Sequence, residues 1–141
     1  MTTMPGPSAH LTWDELRCRD RMRTAYPLDY RTDPTRLPRL AEAFEQVRGM
    51  WGVPLRVLSA YRTPAYNRQI GGAARSQHVE GRALDLQPPG DLTAREFFAA
   101  VVRLAAARPD LGIRYVQGYG TRGFVHIDVR PTEALATKWE A

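Results

Sequence analysis

The sequence has 141 residues, a formal net charge of +5 and a pI of about 9.9. This length suits a single globular domain that buries its own core. The one cysteine, Cys18, excludes an internal disulfide and a zinc site built from thiolates, and no apolar run is long enough to cross a membrane.

The chain divides into three predicted parts. Residues 1–10 are a flexible lead-in rich in small residues and proline, without the basic start and apolar core of a secretory signal. We therefore expect a chain that is synthesised in the cytoplasm and that other components deliver to any target outside the membrane. Residues 11–130 are predicted to form one domain, and residues 131–141 a C-terminal tail.

The first half of this domain carries two helix patterns separated by a loop. Thr12 followed by Glu15 is a capping-box pattern, which predicts a helix over residues 11–16. The prolines and aspartates of residues 23–38 indicate a stretch that is mostly loop. Apolar residues then recur at helical spacing, which predicts an amphipathic helix over residues 37–50.

The second half contains short strands and two further helices. Thr63 as a cap and Pro64 in the first turn indicate a short helix, and an apolar stripe that stops at Pro109 marks the clearest helix. The strands are predicted at 53–60, 82–87, 113–116 and 124–129, and the helices at 63–70 and 91–108. Because strands and helices do not alternate regularly, the pattern predicts an α+β fold with an antiparallel sheet.

Two segments of the second half hold possible metal ligands. His78 follows a glycine pair in a predicted loop, Asp85 lies on the next strand, and His126 lies on the last one. Alternation along that last strand puts Asp128 on the same face as His126. Two imidazoles and one carboxylate with an open fourth position are typical of a catalytic zinc site. A single histidine is more often hydrogen-bonded or on the surface, as we expect for His10, so spacing alone leaves the assignment open.

The motifs around these residues resemble a known family. The pattern S-x-H-x-x-G-x-A-x-D, with an upstream S-A-Y-R-T-P segment and a downstream H-x-D, is similar to the zinc D-alanyl-D-alanine carboxypeptidase family. The residues concerned are Ser76, His78, Gly81, Ala83 and Asp85, the segment 59–64, and residues 126–128. The resemblance covers residues 11–130. It implies the fold shared with hedgehog signalling domains and lysostaphin-type endopeptidases, in which helices pack on one side of a small antiparallel sheet.

The resemblance also implies roles for individual residues. The matches to the family's zinc ligands are His78, Asp85 and His126, so Zn²⁺ is the expected cofactor. Arg62 matches an arginine that binds the substrate carbonyl or carboxylate and steadies the tetrahedral intermediate, although a surface arginine after a strand is the commoner case. Tyr61, Ser76 and Gln77 are further candidates for substrate binding. Ser76 and Gln77 are equally compatible with orienting His78 or with a plain turn.

The general base is the point at which this sequence departs from the family. Many relatives place a carboxylate three residues before the last zinc-binding histidine, where this chain has Gly123. Asp128 is the best remaining candidate because it shares a strand face with His126, and Glu80 in the metal loop is the second. Asp128 also suits another role, that of orienting a zinc-binding imidazole.

The function implied by the resemblance is that of a zinc metallopeptidase acting on peptidoglycan stem peptides, as a D-Ala-D-Ala carboxypeptidase or an L-Ala-D-Glu endopeptidase. The expected setting is a phage-type endolysin or a lytic domain carried on a virion, with a cytosolic dipeptidase as the other enzymatic option. The alternative class is a non-catalytic zinc-binding structural or partner-binding module of the same fold, which Gly123 favours. The +5 charge suits an anionic wall polymer and, equally, mere solubility, and no nucleic-acid-binding motif accompanies it. We expect a monomer that neither binds nucleic acid nor spans a membrane.

Overall fold

The computed structural model describes residues 6–28 and 33–141. Residues 1–5 of the predicted lead-in and residues 29–32 of the predicted loop lie outside these ranges. The helices are α1 (Trp13–Leu16), α2 (Arg36–Gly49), α3 (Pro64–Gln69), α4 (Ala94–Ala107) and a short 3-10 helix (Pro109–Leu111). The strands are β1 (Val57–Ser59), β2 (Ala83–Leu86), β3 (Tyr115–Tyr119), β4 (Phe124–Asp128) and β5 (Ala136–Glu140).

The strands form one five-stranded sheet in the order β1-β2-β4-β3-β5. Neighbouring strands run antiparallel except for β3 and β5, which are parallel. The predicted α+β class is therefore confirmed, with β5 added in parallel at one edge of the antiparallel sheet. Within the two described ranges, no helix has both the length and the apolar character needed to cross a bilayer.

Threonine side chains define the starts of two helices. Thr12 accepts a hydrogen bond from the backbone N–H of Glu15, and the Glu15 carboxylate accepts one from the backbone N–H of Thr12, which confirms the predicted capping box. Thr93 and Glu96 form the same arrangement, so α4 begins at Ala94 rather than at residue 91. Such caps satisfy backbone N–H groups that have no partner within the helix.

The hydrophobic core lies between the helices and one face of the sheet. The apolar stripe predicted for α2 is buried there through Leu40, Phe44 and Val47. Val125 and Ile127 of β4 are fully buried in the same core. Because side chains alternate along a strand, the residues between and after them stand on the other face of the sheet. The functional side chains of β4 therefore point away from the core.

Three strands differ from the sequence-based expectation. β3 covers residues 115–119 rather than 113–116, so it extends into the predicted glycine-rich turn. β1 covers only residues 57–59 of the predicted 53–60, a stretch that contains Pro54, which has no N–H for a sheet ladder. β5 lies in the segment that the sequence assigned to a tail. Its Trp139 packs on the ring of Phe98 in α4, with ring centroids 5.4 Å apart, and against Gly118 of β3. These partners are distant in sequence, so no local pattern revealed the strand.

Candidate metal centre

His78, Asp85 and His126 meet at one face of the sheet. Asp85 on β2 and His126 on β4 are direct neighbours in the antiparallel register, and His78 reaches them from the loop before β2. Oδ1 of Asp85 lies 3.1 Å from Nε2 of His78 and 3.0 Å from Nδ1 of His126. One ligand atom from each residue lies within 4.8 Å of the others, a spacing that suits a single metal ion.

A hydrogen bond at the far nitrogen orients each imidazole. Nδ1–H of His78 donates to the carbonyl oxygen of Ala60 over 2.6 Å, and Nε2–H of His126 donates to Oδ2 of Asp128 over 2.7 Å. These bonds leave Nε2 of His78 and Nδ1 of His126 facing Asp85, where their lone pairs are available to a metal. Two imidazoles and one carboxylate arranged in this way fit Zn²⁺ with one position left for water.

Burial and mutual contact shift the pKa values of these three groups. Burial is the main cause that lowers the pKa of His78. Burial alone would raise the pKa of Asp85, but the charges and hydrogen bonds of the two histidines lower it overall. Burial also acts against the charged form of His126, yet hydrogen bonds to Asp128 and Asp85 raise its pKa to about 9. The site therefore favours positive charge beside Asp85, whether a proton or a metal supplies it.

The carboxylate of Asp128 is held from two sides. Its side chain is 0% exposed, and Oδ2 accepts the hydrogen bond from His126. Arg130 donates from Nε to Oδ1 and from Nη2 to Oδ2, each over 2.7 Å. Burial acts to raise the pKa of Asp128, but the hydrogen bonds from Arg130 and His126 lower it. Of the two roles that the sequence left open for Asp128, this geometry favours orientation of the His126 imidazole over proton transfer.

Arg62 lies beside the candidate ligand Asp85. Its guanidinium nitrogens reach Oγ of Ser59 at 3.4 Å, Oδ1 of Asn67 at 3.2 Å and Oδ2 of Asp85 at 3.4 Å. The backbone N–H of Arg62 donates to the carbonyl oxygen of His78, which ties the end of β1 to the metal loop. The Arg62 side chain is only 14% exposed, so it is positioned by the fold rather than extended into solvent.

Comparison with known families agrees with this geometry. A family model described as Peptidase M15 matches residues 9–128, a range that includes all three candidate ligands. The chain belongs to the peptidase M15 family. A search of curated proteins finds no significant match to the chain. Peptidases of this family depend on a metal, and within the described ranges His78, Asp85 and His126 form a group that could hold one.

The candidate ligands of this M15 peptidase stand in a pocket of about 470 Å³. Arg62 and the predicted substrate-binding residues Ser76 and Gln77 line the same pocket. Oγ of Ser76 accepts a hydrogen bond of 3.2 Å from the backbone N–H of His78, so this hydroxyl shapes the metal loop. Oε1 of Gln77 is buried without a hydrogen-bond partner in the part of the chain that the structure describes.

Two residues predicted for the site lie elsewhere. Tyr61 does not line the pocket, and its ring packs edge-on against Tyr26 with centroids 6.1 Å apart. Glu80 is directed to solvent, with 57% of its side chain exposed, and lies 3.9 Å from Arg82. Neither side chain faces the candidate ligands. Their positions therefore do not support substrate binding by Tyr61 or proton transfer by Glu80.

The pocket and its support also contain residues that the sequence analysis did not identify. Arg130 follows His126 and Asp128 at alternate positions, so strand periodicity is the signal that could have identified it. Gln117 lies directly opposite His126 in the register of β3 and β4, and Tyr115 lines the pocket from the same strand. No local motif marks these two residues, because they join the site only through strand pairing.

Gly123 accounts for the missing carboxylate three residues before His126. It closes the turn between β3 and β4 with a φ of 74°, and its N–H donates to the carbonyl oxygen of Tyr119 over 2.8 Å. A residue with a side chain rarely adopts this left-handed conformation, so the turn itself disfavours an acid at this position. Among the described residues that line the pocket, Asp85 is the sole carboxylate.

Proposed function

We propose that this M15 peptidase is a zinc enzyme that hydrolyses a peptide bond in peptidoglycan stem peptides, as a D-Ala-D-Ala carboxypeptidase or an L-Ala-D-Glu endopeptidase. The observation that carries the proposal is the convergence of His78, Asp85 and His126 with both imidazoles already oriented. Ligands held in this way need little rearrangement when a metal binds. An endolysin-type role, with delivery to the wall by other components, belongs to the same proposal.

The protein's part in holding zinc is to supply and orient the donors. Nε2 of His78, Nδ1 of His126 and the Asp85 carboxylate would be the ligands. When bound, zinc lowers the pKa of a water molecule to about 7 and polarises the scissile carbonyl. Ala60 holds the first imidazole and Asp128 the second, so the chain determines which nitrogen of each ring faces the metal.

Besides the metal ligands, the proposed reaction needs a group that stabilises negative charge on the substrate, and Arg62 is placed to supply it. Its guanidinium presents a planar fork of N–H donors beside Asp85. Its side-chain contacts are long, between 3.2 and 3.4 Å, so its donors are not saturated by the protein. We assign Arg62 to stabilise the negative charge that develops on the substrate carbonyl oxygen in the tetrahedral intermediate.

A non-catalytic zinc-binding module of the same fold is the second candidate function. Two observations favour it. Both oxygens of Asp128 accept hydrogen bonds from Arg130, and Asp85 is the sole carboxylate among the described residues of the pocket wall. The open pocket and the position of Arg62 favour catalysis instead, because a structural zinc site is usually closed by four protein ligands.

Mass spectrometry of cell-wall peptides after incubation with the zinc-loaded protein tests the proposal. A carboxypeptidase shortens the peptide by its last D-Ala, whereas an L-Ala-D-Glu endopeptidase releases a fragment that begins with D-Glu. Chelation should stop product formation and added zinc should restore it. Arg62→Ala is the matched variant, expected to keep zinc and to yield far less product. If the wild-type protein yields no product either, the non-catalytic module is the better account.

A further inference from the structure

Four arginines line the pocket, and two of them have no role in the proposed metal chemistry. The arginines that line it are Arg62, Arg75, Arg122 and Arg130. Arg62 contacts the candidate ligand Asp85, and Arg130 is paired with the buried carboxylate of Asp128. Two guanidinium groups, those of Arg75 and Arg122, remain after these pairs are formed.

Among the residues that the structure describes, Arg75 and Arg122 have no acidic partner. Both are exposed, and neither forms a hydrogen bond or an ion pair with any residue of the ranges 6–28 and 33–141. They come from different segments of the pocket wall, Arg75 from the loop before His78 and Arg122 from the turn between β3 and β4. Two unpaired cations beside a metal site produce a positive potential that attracts ligands with carboxylates.

Aromatic rings hold Arg122 in place. The guanidinium carbon lies 4.9 Å from the ring centroid of Phe124 and 5.4 Å from that of Tyr119. The two rings stack on each other with centroids 4.4 Å apart. This contact restricts the orientation of Arg122 and leaves its N–H donors, which lie in the guanidinium plane, free for a ligand.

We propose that Arg122 forms a carboxylate-binding subsite that makes this enzyme select acidic peptides, with Arg75 adding positive charge to the same pocket. The inference rests on the proposed function, and the group recognised is a free carboxylate on a residue near the scissile bond. A guanidinium binds a carboxylate with two parallel hydrogen bonds, whereas a carboxamide offers one acceptor oxygen and an unmatched NH₂ group. Because Arg122 is exposed and its charge is screened by salt, the preference is modest, about two- to five-fold in kcat/KM.

The test uses the zinc-loaded full chain and two stem peptides that differ in one group. One peptide carries a free α-carboxylate on its D-Glu residue, and the other carries the carboxamide. The wild-type protein should prefer the acidic peptide by about two- to five-fold in kcat/KM, and high salt should reduce the preference. Arg122→Gln should lose the preference through a fall with the acidic peptide. Arg103→Gln, which removes an exposed charge of α4 outside the pocket, should keep it.

Two outcomes separate this inference from the proposed function. If the wild-type protein cleaves both peptides equally, or Arg122→Gln keeps the full preference, the subsite is wrong and the proposed function stands. If the wild-type protein cleaves neither peptide, the proposed function fails. Calorimetric titration of each peptide into the zinc-loaded protein then tests whether the carboxylate-binding subsite exists. Tighter binding of the acidic peptide by the wild-type protein, but not by Arg122→Gln, supports it. Equal binding of the two peptides overturns it.

Discussion

Asp128 accepts a hydrogen bond of 2.7 Å from Nε2–H of His126, and this contact joins a candidate metal ligand to the ion pair between the buried Asp128 carboxylate and the partly exposed Arg130. Arg130 donates two hydrogen bonds of 2.7 Å to the same carboxylate. Its guanidinium carbon lies over the ring of Tyr115, 4.1 Å from the ring centroid. The orientation of His126 therefore depends on a chain of contacts along one strand face. Such partners of a metal-binding histidine fix its tautomer and raise its basicity.

Asp128→Asn should weaken zinc binding by about ten- to a hundred-fold. The amide keeps the shape of the side chain but loses the charge that faces Arg130 and His126. Competition with a chelator of known affinity measures the change, and thermal unfolding checks that the variant is folded. Glu80→Gln, at an exposed carboxylate outside the pocket, is the control and should bind zinc as the wild type does. Wild-type zinc affinity in Asp128→Asn together with lost turnover would instead identify Asp128 as the general base.

The purified protein should bind about one zinc ion per chain. His78→Ala and His126→Ala should each lose it on dialysis, because two remaining protein ligands bind far more weakly than three. Elemental analysis of the dialysed proteins gives the stoichiometry. His10→Ala is the control, since His10 pairs with Glu45 at 2.7 Å and does not line the pocket. Full zinc occupancy in both ligand variants would refute the metal assignment.

Arg62→Ala should lower turnover by about a hundred- to a thousand-fold while zinc content and melting temperature stay close to those of the wild type. The physical reason is the loss of a donor that acts on the developing oxyanion. Arg62→Lys should recover only part of the activity, because an ammonium group restores the charge without the planar fork. Steady-state kinetics on a cell-wall peptide measures both. Unchanged turnover in Arg62→Ala would mean that this arginine has only a structural role.

Cys18→Ala should keep activity. Cys18 is buried, and its Sγ accepts a hydrogen bond of 3.5 Å from the backbone N–H of Thr63. Removing the sulfur removes packing contacts in the core. We expect this loss to lower the free energy of unfolding by about 1 kcal/mol and the melting temperature by about 2–4 °C. Thermal unfolding and a zinc-loaded activity assay measure the two effects. An inactive variant that retains zinc would show that Cys18 has a role in the chemistry.

Two glycines provide a matched test of how β5 is attached. A Cβ added to Gly118 would overlap the Trp139 ring and lie 3.0 Å from the ring of Phe98, so Gly118→Ala should destabilise the protein by about 1–3 kcal/mol. Gly49, at the end of α2, has nothing within 4 Å of an added Cβ, so Gly49→Ala should be neutral or slightly stabilising. Thermal unfolding followed by tryptophan fluorescence compares them. Equal melting temperatures would contradict the packing of Trp139 on β3.

The sequence by itself determined features that depend on residues close together in the chain. The Thr12 and Glu15 capping box needs only a spacing of three residues, and the structure confirms it. Strand alternation placed His126 and Asp128 on one face and the apolar residues of β4 in the core, as observed. The order of motifs also indicated the peptidase family, which the match over residues 9–128 confirms.

The tertiary structure alone decided which partner each of these side chains meets. Alternation put Asp128 on the face of His126, but only the fold shows that this carboxylate accepts hydrogen bonds from His126 and Arg130, contacts that favour orientation of the imidazole over the predicted role of general base. The sequence did not predict β5, because the position of the Trp139 ring depends on the space above Gly118, which lies on a different strand. Local periodicity specifies the face of an element on which a side chain stands, whereas its direction and partners depend on contacts between residues far apart in the chain.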